Sequence, residues 1–139
     1  MKNLLFLTAL ILFGSLAYTQ KIEESAVPDS VKSVFKLAYP DVTTAKWEKE
    51  RNGDYEVNFR VNGNKNSVTY SPSGKVLETE FEIAVSALPK EALAYIEKNY
   101  PGQEITEAAK ITSADGKIKY EAEIGGKDIF FDVNGKLIK

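Results

Sequence analysis

The sequence predicts an α+β protein made of two tandem repeats, each with one helix packed on a roughly four-stranded antiparallel sheet. Three observations predict this fold. The second half of the chain resembles the first at an offset of 61 residues, each half opens with a helical apolar pattern, and each continues with apolar residues at alternate positions. The repeats would span residues 27–77 and 88–138, within a single compact domain over residues 20–139.

Corresponding segments occur in the same order in both halves. "VPDSVKSVFKLAYP", which begins at Val27, matches "LPKEALAYIEKNYP", which begins at Leu88. "DYEVNF" then matches "KYEAEI", and "SGKVL" matches "NGKLI". A duplicated unit is the simplest explanation of this order.

One helix is predicted at the start of each repeat. Apolar residues recur there at the spacing of a single helix face. They are Val31, Val34, Phe35 and Ala38 in the first repeat, and Ala92, Leu93, Ile96 and Tyr100 in the second. Pro28 and Pro89 suit a helix start, while Pro40 and Pro101 disfavour helical geometry in the residue before them. Each helix should therefore contain about eleven residues.

Strands are predicted where apolar and polar residues alternate, because successive side chains of a strand point to opposite faces. Pairs such as Asn62-Gly63 and Gly125-Gly126 separate these runs and favour tight hairpins. One side of the sheet should therefore contact the helices while the other stays open. The residues expected to point inward are Tyr55, Val57, Phe59, Val61, Val68, Tyr70, Tyr120, Ala122, Ile124, Ile129, Phe131 and Val133.

The first twenty residues predict export. An apolar run over residues 4–13 follows Lys2 and precedes small and polar residues. A run of this length suits the core of a signal peptide and is too short to span a bilayer as a helix. We predict a signal peptide over residues 1–19, cleaved after Ala17 or Thr19, with a retained anchor as the alternative. The mature protein would be periplasmic or secreted, without membrane insertion.

The composition excludes several kinds of chemistry. The chain has no cysteine and no histidine, so disulfides, ordinary zinc or copper sites, cysteine nucleophiles and Ser-His-Asp triads are excluded. Without Lys2, 17 of the 18 basic residues remain against 20 acidic ones, a balance of −3. This balance provides no basic surface for nucleic acid. We predict no enzyme, no cofactor, no metal site and no nucleic-acid partner.

Two acidic patterns could carry chemistry, and both favour a structural interpretation. Asp132 and Asn134 offer only two oxygen side chains, whereas an EF-hand loop needs more ligands and a final glutamate. A hairpin turn is therefore predicted. Glu78, Glu80 and Glu82 alternate along one strand face at about 7 Å, a spacing that glycosidases use. Such a row more often prevents edge pairing, so catalysis is not expected.

A partner-binding surface is the remaining functional feature. Alternation places Asn58, Arg60 and Phe130 on the open sheet face, while Trp47 lies among charges in "AKWEKE". Aromatic residues and arginine are favoured anchors in protein interfaces. We therefore predict that Trp47, Asn58, Arg60 and Phe130 contact a partner. The alternatives are that Trp47 lies in the core and that the neighbouring repeat covers Phe130.

The motifs "LPKEALAYIEKNYP", "YEAEI" and "IFFDVNGKLI", behind a signal peptide, resemble the PepSY-like, β-lactamase-inhibitor-protein-like family of small periplasmic proteins. The resemblance implies two tandem helix-on-sheet units with a concave sheet face. The inhibitor relatives bind an enzyme through such a face. This chain differs from those inhibitors in having no disulfide and one predicted helix per unit.

The function implied by these features is a non-enzymatic binding or inhibitory module that engages an unknown envelope protein or peptide. Two alternatives belong to other classes. One is a small-ligand carrier with its site between the two repeats, and the other is a hydrolase built on carboxylates.

Overall fold

The computed structural model describes residues 19–138, in which eight strands and two α-helices are found. The predicted signal peptide therefore lies outside the described residues, except for Thr19. The helices are α1 (Asp29–Ala38) and α2 (Lys90–Asn99). The strands are β1 (Gln20–Ile22), β2 (Ala45–Lys49), β3 (Tyr55–Val61), β4 (Asn64–Tyr70), β5 (Val76–Glu82), β6 (Ile105–Ser113), β7 (Ile118–Ile124) and β8 (Lys127–Asp132).

The eight strands form one antiparallel sheet in which they lie in chain order. Pairing of β4 with β5 and of β5 with β6 makes the sheet continuous, so the strands do not divide into two separate four-stranded sheets. The order of one strand, a short 3₁₀ turn, one α-helix and three strands occurs twice. The strand before each helix begins before the predicted repeat, so the boundaries at residues 27 and 88 remain predictions.

Both α-helices begin and end where the prolines predict. Each contains ten residues and starts directly after Pro28 or Pro89. Tyr39 and Tyr100 follow the helices with φ of −131° and −129°, outside the helical region. Each of these tyrosines precedes a proline, which disfavours the helical conformation.

The buried stripe of α1 is narrower than predicted. Val31 and Phe35 are buried, whereas Val34 is 36% exposed and Ala38 is also exposed. A helix that packs on only one side of a sheet buries a narrow stripe, so the residues that flank it remain accessible. Val31 and Phe35 therefore form the buried centre of the predicted helix face, and Val34 and Ala38 form its exposed edges.

Two hydrophobic clusters connect the helices to the sheet. The first joins α1 to the first half of the sheet, and the second joins α2 to the other half. The first contains Val27, Val31, Phe35, Trp47, Tyr55, Val57, Phe59, Val68 and Tyr70. The second contains Leu88, Ala92, Ile96, Ala108, Ala122, Ile124, Ile129 and Phe131.

Two valines predicted to point inward are exposed instead. Val61 is 39% exposed and ends β3 next to the Asn62-Gly63 hairpin. Val133 is 56% exposed and lies in the turn that follows β8. Val61 still belongs to β3 and is exposed because it lies at the end of the strand, whereas Val133 lies beyond β8, where the alternation of a strand no longer applies.

The turns after β4 and β8 have matching hydrogen bonds. The Asp132 carboxylate accepts hydrogen bonds from the backbone N–H groups of Asn134 and Lys136, both at 2.9 Å. In the earlier turn, the Ser71 hydroxyl accepts one from the backbone N–H of Lys75 at 3.2 Å. The side chain at the first position of "DVNGK" therefore closes a turn, as predicted.

A glycine in each of these turns lies against the start of a helix. Gly74 and Gly135 have φ of +84° and +83°, a region that favours glycine. A Cβ on Gly135 would lie 2.6 Å from the Ala92 backbone nitrogen, and one on Gly74 would lie 2.8 Å from the Ser30 carbonyl oxygen. Only glycine permits the turn and the helix to approach this closely.

Candidate functional site: the open sheet face

Both helices pack on the same side of the sheet. The strand register places Val68, Thr79 and Thr112 in one row across β4, β5 and β6. Val68 belongs to the first core cluster, and Ala108, which lies on the same side of β6 as Thr112, belongs to the second. The opposite side of the sheet, which we call the open face, is therefore not covered by either helix.

The open face carries an excess of acidic side chains. Its acidic residues are Glu48, Glu56, Glu78, Glu80, Glu82, Glu107, Glu121, Glu123, Asp128 and Asp132. Its basic residues are Lys21, Lys46, Arg60, Lys65 and Lys119. Ten acidic against five basic side chains give this face a charge of −5, whereas the whole chain carries −2. The negative charge of the protein is therefore concentrated on one surface.

This charge is unevenly divided between the halves of the open face. The part formed by β1–β4 has two acidic and four basic side chains, a balance of +2. The part formed by β5–β8, which we call the acidic half, has eight acidic side chains and Lys119, a balance of −7.

An apolar strip lies within the acidic half. Ala109 and Ile111 of β6 point toward the open face, yet each is only 2% exposed. Ile111 lies between Glu80 and Lys119 in the register, so the stems of these long side chains cover it. Phe130 of β8 lies on the same face and is half-buried, but Glu121 of β7 separates it from Ala109 in the register.

The only lysine of the acidic half contacts both an aromatic ring and a carboxylate. Lys119 Nζ lies 5.1 Å from the centroid of the Phe130 ring and 3.8 Å from a carboxylate oxygen of Glu78. Both contacts attract an ammonium group, the first through the negative face of the ring and the second through opposite charge. At the border with the first half, Lys65 forms an ion pair with Glu107.

Three carboxyl groups of the open face have raised pKa values. Burial, together with the negative charges of Glu80, Asp128 and Glu107, raises the pKa of Glu121 to about 7, although Lys119 opposes this change. Burial likewise raises the pKa of Glu56 to about 6 and that of Glu80 above its ordinary value. Glu56 and Glu121 therefore change charge closer to neutral pH than ordinary carboxyl groups do.

The raised pKa of Glu121 predicts a pH-dependent gain in stability for Glu121→Gln. The folded state binds this proton more tightly than the unfolded state, whose pKa is near 4.5, so wild-type stability falls as pH rises from 4.5 through about 7. Because water partly screens the group, we expect the variant to gain about 1–2 kcal/mol at pH 8 and to match the wild type at pH 4. Urea denaturation at both pH values measures the difference.

Glu97→Gln provides the matched control, since Glu97 is an exposed residue of α2. This variant should follow the wild type at both pH values. An equal gain for Glu121→Gln at pH 4 and pH 8 would contradict titration as the cause.

The structure places three of the four predicted partner-binding residues on the open face. Asn58 and Arg60 lie on β3, and Phe130 lies on β8. Trp47 points to the other side, where it is 4% exposed and packs edge-on against Phe35 with ring centroids 5.4 Å apart. The core interpretation of Trp47 therefore applies, because a partner on the open face cannot reach its ring.

The three residues on the open face do not form one compact site. β3 and β8 are five strand spacings apart, so Arg60 and Phe130 are separated by about 20–25 Å. A small molecule cannot contact both residues, whereas a protein surface can. Sequence alternation identified the correct face but did not show this separation.

Sequence reasoning missed Ala109 and Ile111. Both occur in "ITEAAKITS", where apolar residues point to both faces of β6 and weaken the alternation. Their spacing of two residues was the available signal, because it matches a second buried face on the same strand.

The identified surface clefts do not support a site between the two halves. Each of five clefts among residues 19–138 is lined by residues of one half only. One of about 510 Å³ lies at the end of β2–β4 and includes Lys46, Asn58 and Arg60 in its lining. The predicted carrier site between the repeats corresponds to none of these five clefts.

The described residues contain neither a metal-binding cluster of acidic side chains nor a helix able to span a membrane. Across residues 19–138, no cluster of three or more acidic side chains is arranged to hold a metal ion. In that range, neither helix has the length and apolar character required to cross a membrane.

The chain matches a known family over most of its length. The family described as "Putative beta-lactamase-inhibitor-like, PepSY-like" matches residues 17–78 and residues 53–139. The chain belongs to this PepSY-like family. The resemblance inferred from the sequence motifs is thereby confirmed. No match is found among curated proteins.

Solved structures from Bacteroides share the fold of this PepSY-like protein. A protein of Bacteroides eggerthii described as periplasmic has a TM-score of 0.72 at 16% identity, over 81% of this chain and 86% of its own. A DUF2874 family protein of Bacteroides ovatus has a TM-score of 0.67 at 20% identity, over 81% and 84%. A BLIP-like protein of Bacteroides fragilis has a TM-score of 0.60 at 20% identity, also over 81% and 84%. The periplasmic description agrees with the predicted export.

Proposed function

We propose that this PepSY-like protein is a non-enzymatic periplasmic binding or inhibitory module, built from a duplicated helix-and-sheet unit, that engages a protein or peptide through its open face. The observation that carries the proposal is a sheet face that neither helix covers, on which the half-buried Phe130 ring lies among charged side chains. Interfaces between proteins have the same organisation, with an apolar centre and a polar rim.

The dimensions of the open face suit a protein partner. Seven spacings between eight strands span about 34 Å, and strands of this length extend about 20 Å. The resulting area of about 700 Å² approaches the roughly 800 Å² that each partner contributes to a standard protein interface. A small ligand would use only a fraction of this surface.

A hydrolase based on the raised pKa of Glu121 receives less support. Enzymes usually hold a small substrate in a cleft with catalytic groups in its wall. None of the five clefts within residues 19–138 is lined by Glu80 or Glu121. The crowding of carboxyl groups on a buried strip explains their pKa values without a catalytic role.

Affinity capture from a periplasmic extract, quantified by mass spectrometry, tests the proposal. The variant Phe130→Ala/Arg60→Ala should retain less than about one tenth of a partner captured by the wild type, because anchor residues dominate interface energy. The control Leu37→Ala/Lys98→Ala also removes one apolar and one basic side chain, from exposed positions of α1 and α2. Equal capture by the wild type and the first variant would show that the open face is not the binding surface.

A further inference from the structure

The acidic half has no charge partner of comparable size within the described residues. Its balance of −7 faces away from both helices, and Lys119 is the only basic side chain on this part of the sheet. Lys65 pairs with Glu107 across the border with the first half, which leaves six formal negative charges without a partner on four strands. They create a negative potential that attracts cations and repels anions. Acidic membrane surfaces and nucleic acid are therefore unsuitable partners.

Phe130 adds a requirement that simple cations do not meet. Ala109 and Ile111 are each only 2% exposed, so the half-buried Phe130 ring provides the accessible apolar surface among the carboxylates. A partner that covers Phe130 must bring an apolar group as well as positive charge.

Lys119 shows how a basic side chain fits this surface. Its ammonium group contacts the Phe130 ring on one side and Glu78 on the other. A partner's lysine or arginine can make the same two kinds of contact with Phe130 and the neighbouring carboxylates. Lys119 therefore competes with such a residue.

We propose that the acidic half of the open face binds a basic protein segment, which places lysine or arginine side chains among the carboxylates and an apolar side chain on the Phe130 ring. This inference rests on the proposed function and adds the chemistry of the partner. A second copy of the chain fits less well, because the +2 balance of its first half cannot neutralise the −7 balance of the acidic half.

Labelled synthetic peptides of nine residues provide the test, by fluorescence anisotropy at pH 8. The three peptides alternate Lys-Leu, Glu-Leu or Lys-Ser. Spermine is added to test whether a small polycation displaces the Lys-Leu peptide. The Lys-Leu peptide should bind about tenfold more tightly than the other two, and its affinity should fall as salt is raised.

Variants assign this binding to the acidic half. Glu80→Gln/Glu121→Gln/Asp128→Asn should weaken Lys-Leu binding about tenfold, and Lys119→Ala should strengthen it about threefold. A gain of affinity cannot result from misfolding, so the second variant keeps the test decisive. The matched control Glu91→Gln/Glu97→Gln/Glu104→Gln neutralises three exposed charges on and after α2 and should bind like the wild type.

Several outcomes would overturn the inference. The first is that the Glu-Leu peptide binds as tightly as the Lys-Leu peptide, and the second is that the triple variant of the acidic half binds the Lys-Leu peptide as the wild type does. The third is that spermine displaces the Lys-Leu peptide at the concentration of the peptide. The fourth is that the wild type self-associates and the triple variant does not. Each leaves the proposed function intact if Phe130→Ala/Arg60→Ala still loses partner capture. If the open-face variants keep both peptide binding and partner capture, the inference and the proposed function are both refuted.

Discussion

Gly135→Ala is expected to lower the free energy of unfolding by about 3–5 kcal/mol, because it combines backbone strain with a collision. Gly135 has φ of +83°, where an L-residue is strained. The added Cβ would also lie 2.6 Å from the Ala92 nitrogen and 2.9 Å from Glu91 Cβ, so the first turn of α2 must move. Urea denaturation of the purified variant measures the loss.

Gly126→Ala separates the two causes. Gly126 has φ of +73°, and a Cβ there would have no atom within 4 Å among the described residues. Only the strain remains, so its expected cost is about 1 kcal/mol. Similar losses for Gly126→Ala and Gly135→Ala would contradict the role assigned to the contact with α2.

The turn at Gly135 shows what the sequence could and could not predict. The motif "DVNGKLI" predicted a tight turn, because Asp, Asn and Gly supply the hydrogen bonds and positive φ that turns need. The contact between this turn and α2 joins residues more than 40 positions apart, so no local sequence pattern predicts it. Local backbone chemistry was therefore predictable, whereas the packing of distant segments was not.

The same limit explains the errors in the sheet. The alternation of Tyr55, Val57 and Phe59 predicted their burial correctly, because only one side of β3 is covered. β6 buries Ala108 on one side and Ala109 on the other, so its alternation is lost. Neighbouring glutamate and lysine side chains cover the open side of β6, and the strand order needed to place them is absent from local periodicity.

The sequence predicted which side of the sheet each candidate residue faces, but not the distances between these residues. Alternation along single strands placed Arg60 and Phe130 on the open face correctly, since each strand fixes its own two sides. The distance between them depends on the number of intervening strands. The charge contrast between the two halves of the open face depends on the strand order and on the register between strands, which local periodicity does not predict.

Trp47→Ala is expected to destabilise the protein by about 3 kcal/mol. The charged residues beside Trp47 in the sequence had suggested a surface role instead. Trp47 is 4% exposed and contacts Phe35, so its removal leaves a cavity in the first core cluster. The buried indole nitrogen has no hydrogen-bond partner within residues 19–138, so losing it offsets part of the cost. Thermal and urea denaturation provide the measurement.

Two further variants separate a core role from a surface role. Trp47→Phe keeps an aromatic ring and removes the unpaired N–H group, so its expected cost is below about 2 kcal/mol. Phe130→Ala should change stability by less than about 1 kcal/mol, because the open face leaves this ring half-exposed, yet it should weaken partner capture. Reversed effects, with Phe130→Ala unfolding the protein and Trp47→Ala leaving its stability unchanged, would mean that the two faces of the sheet have been assigned the wrong way round.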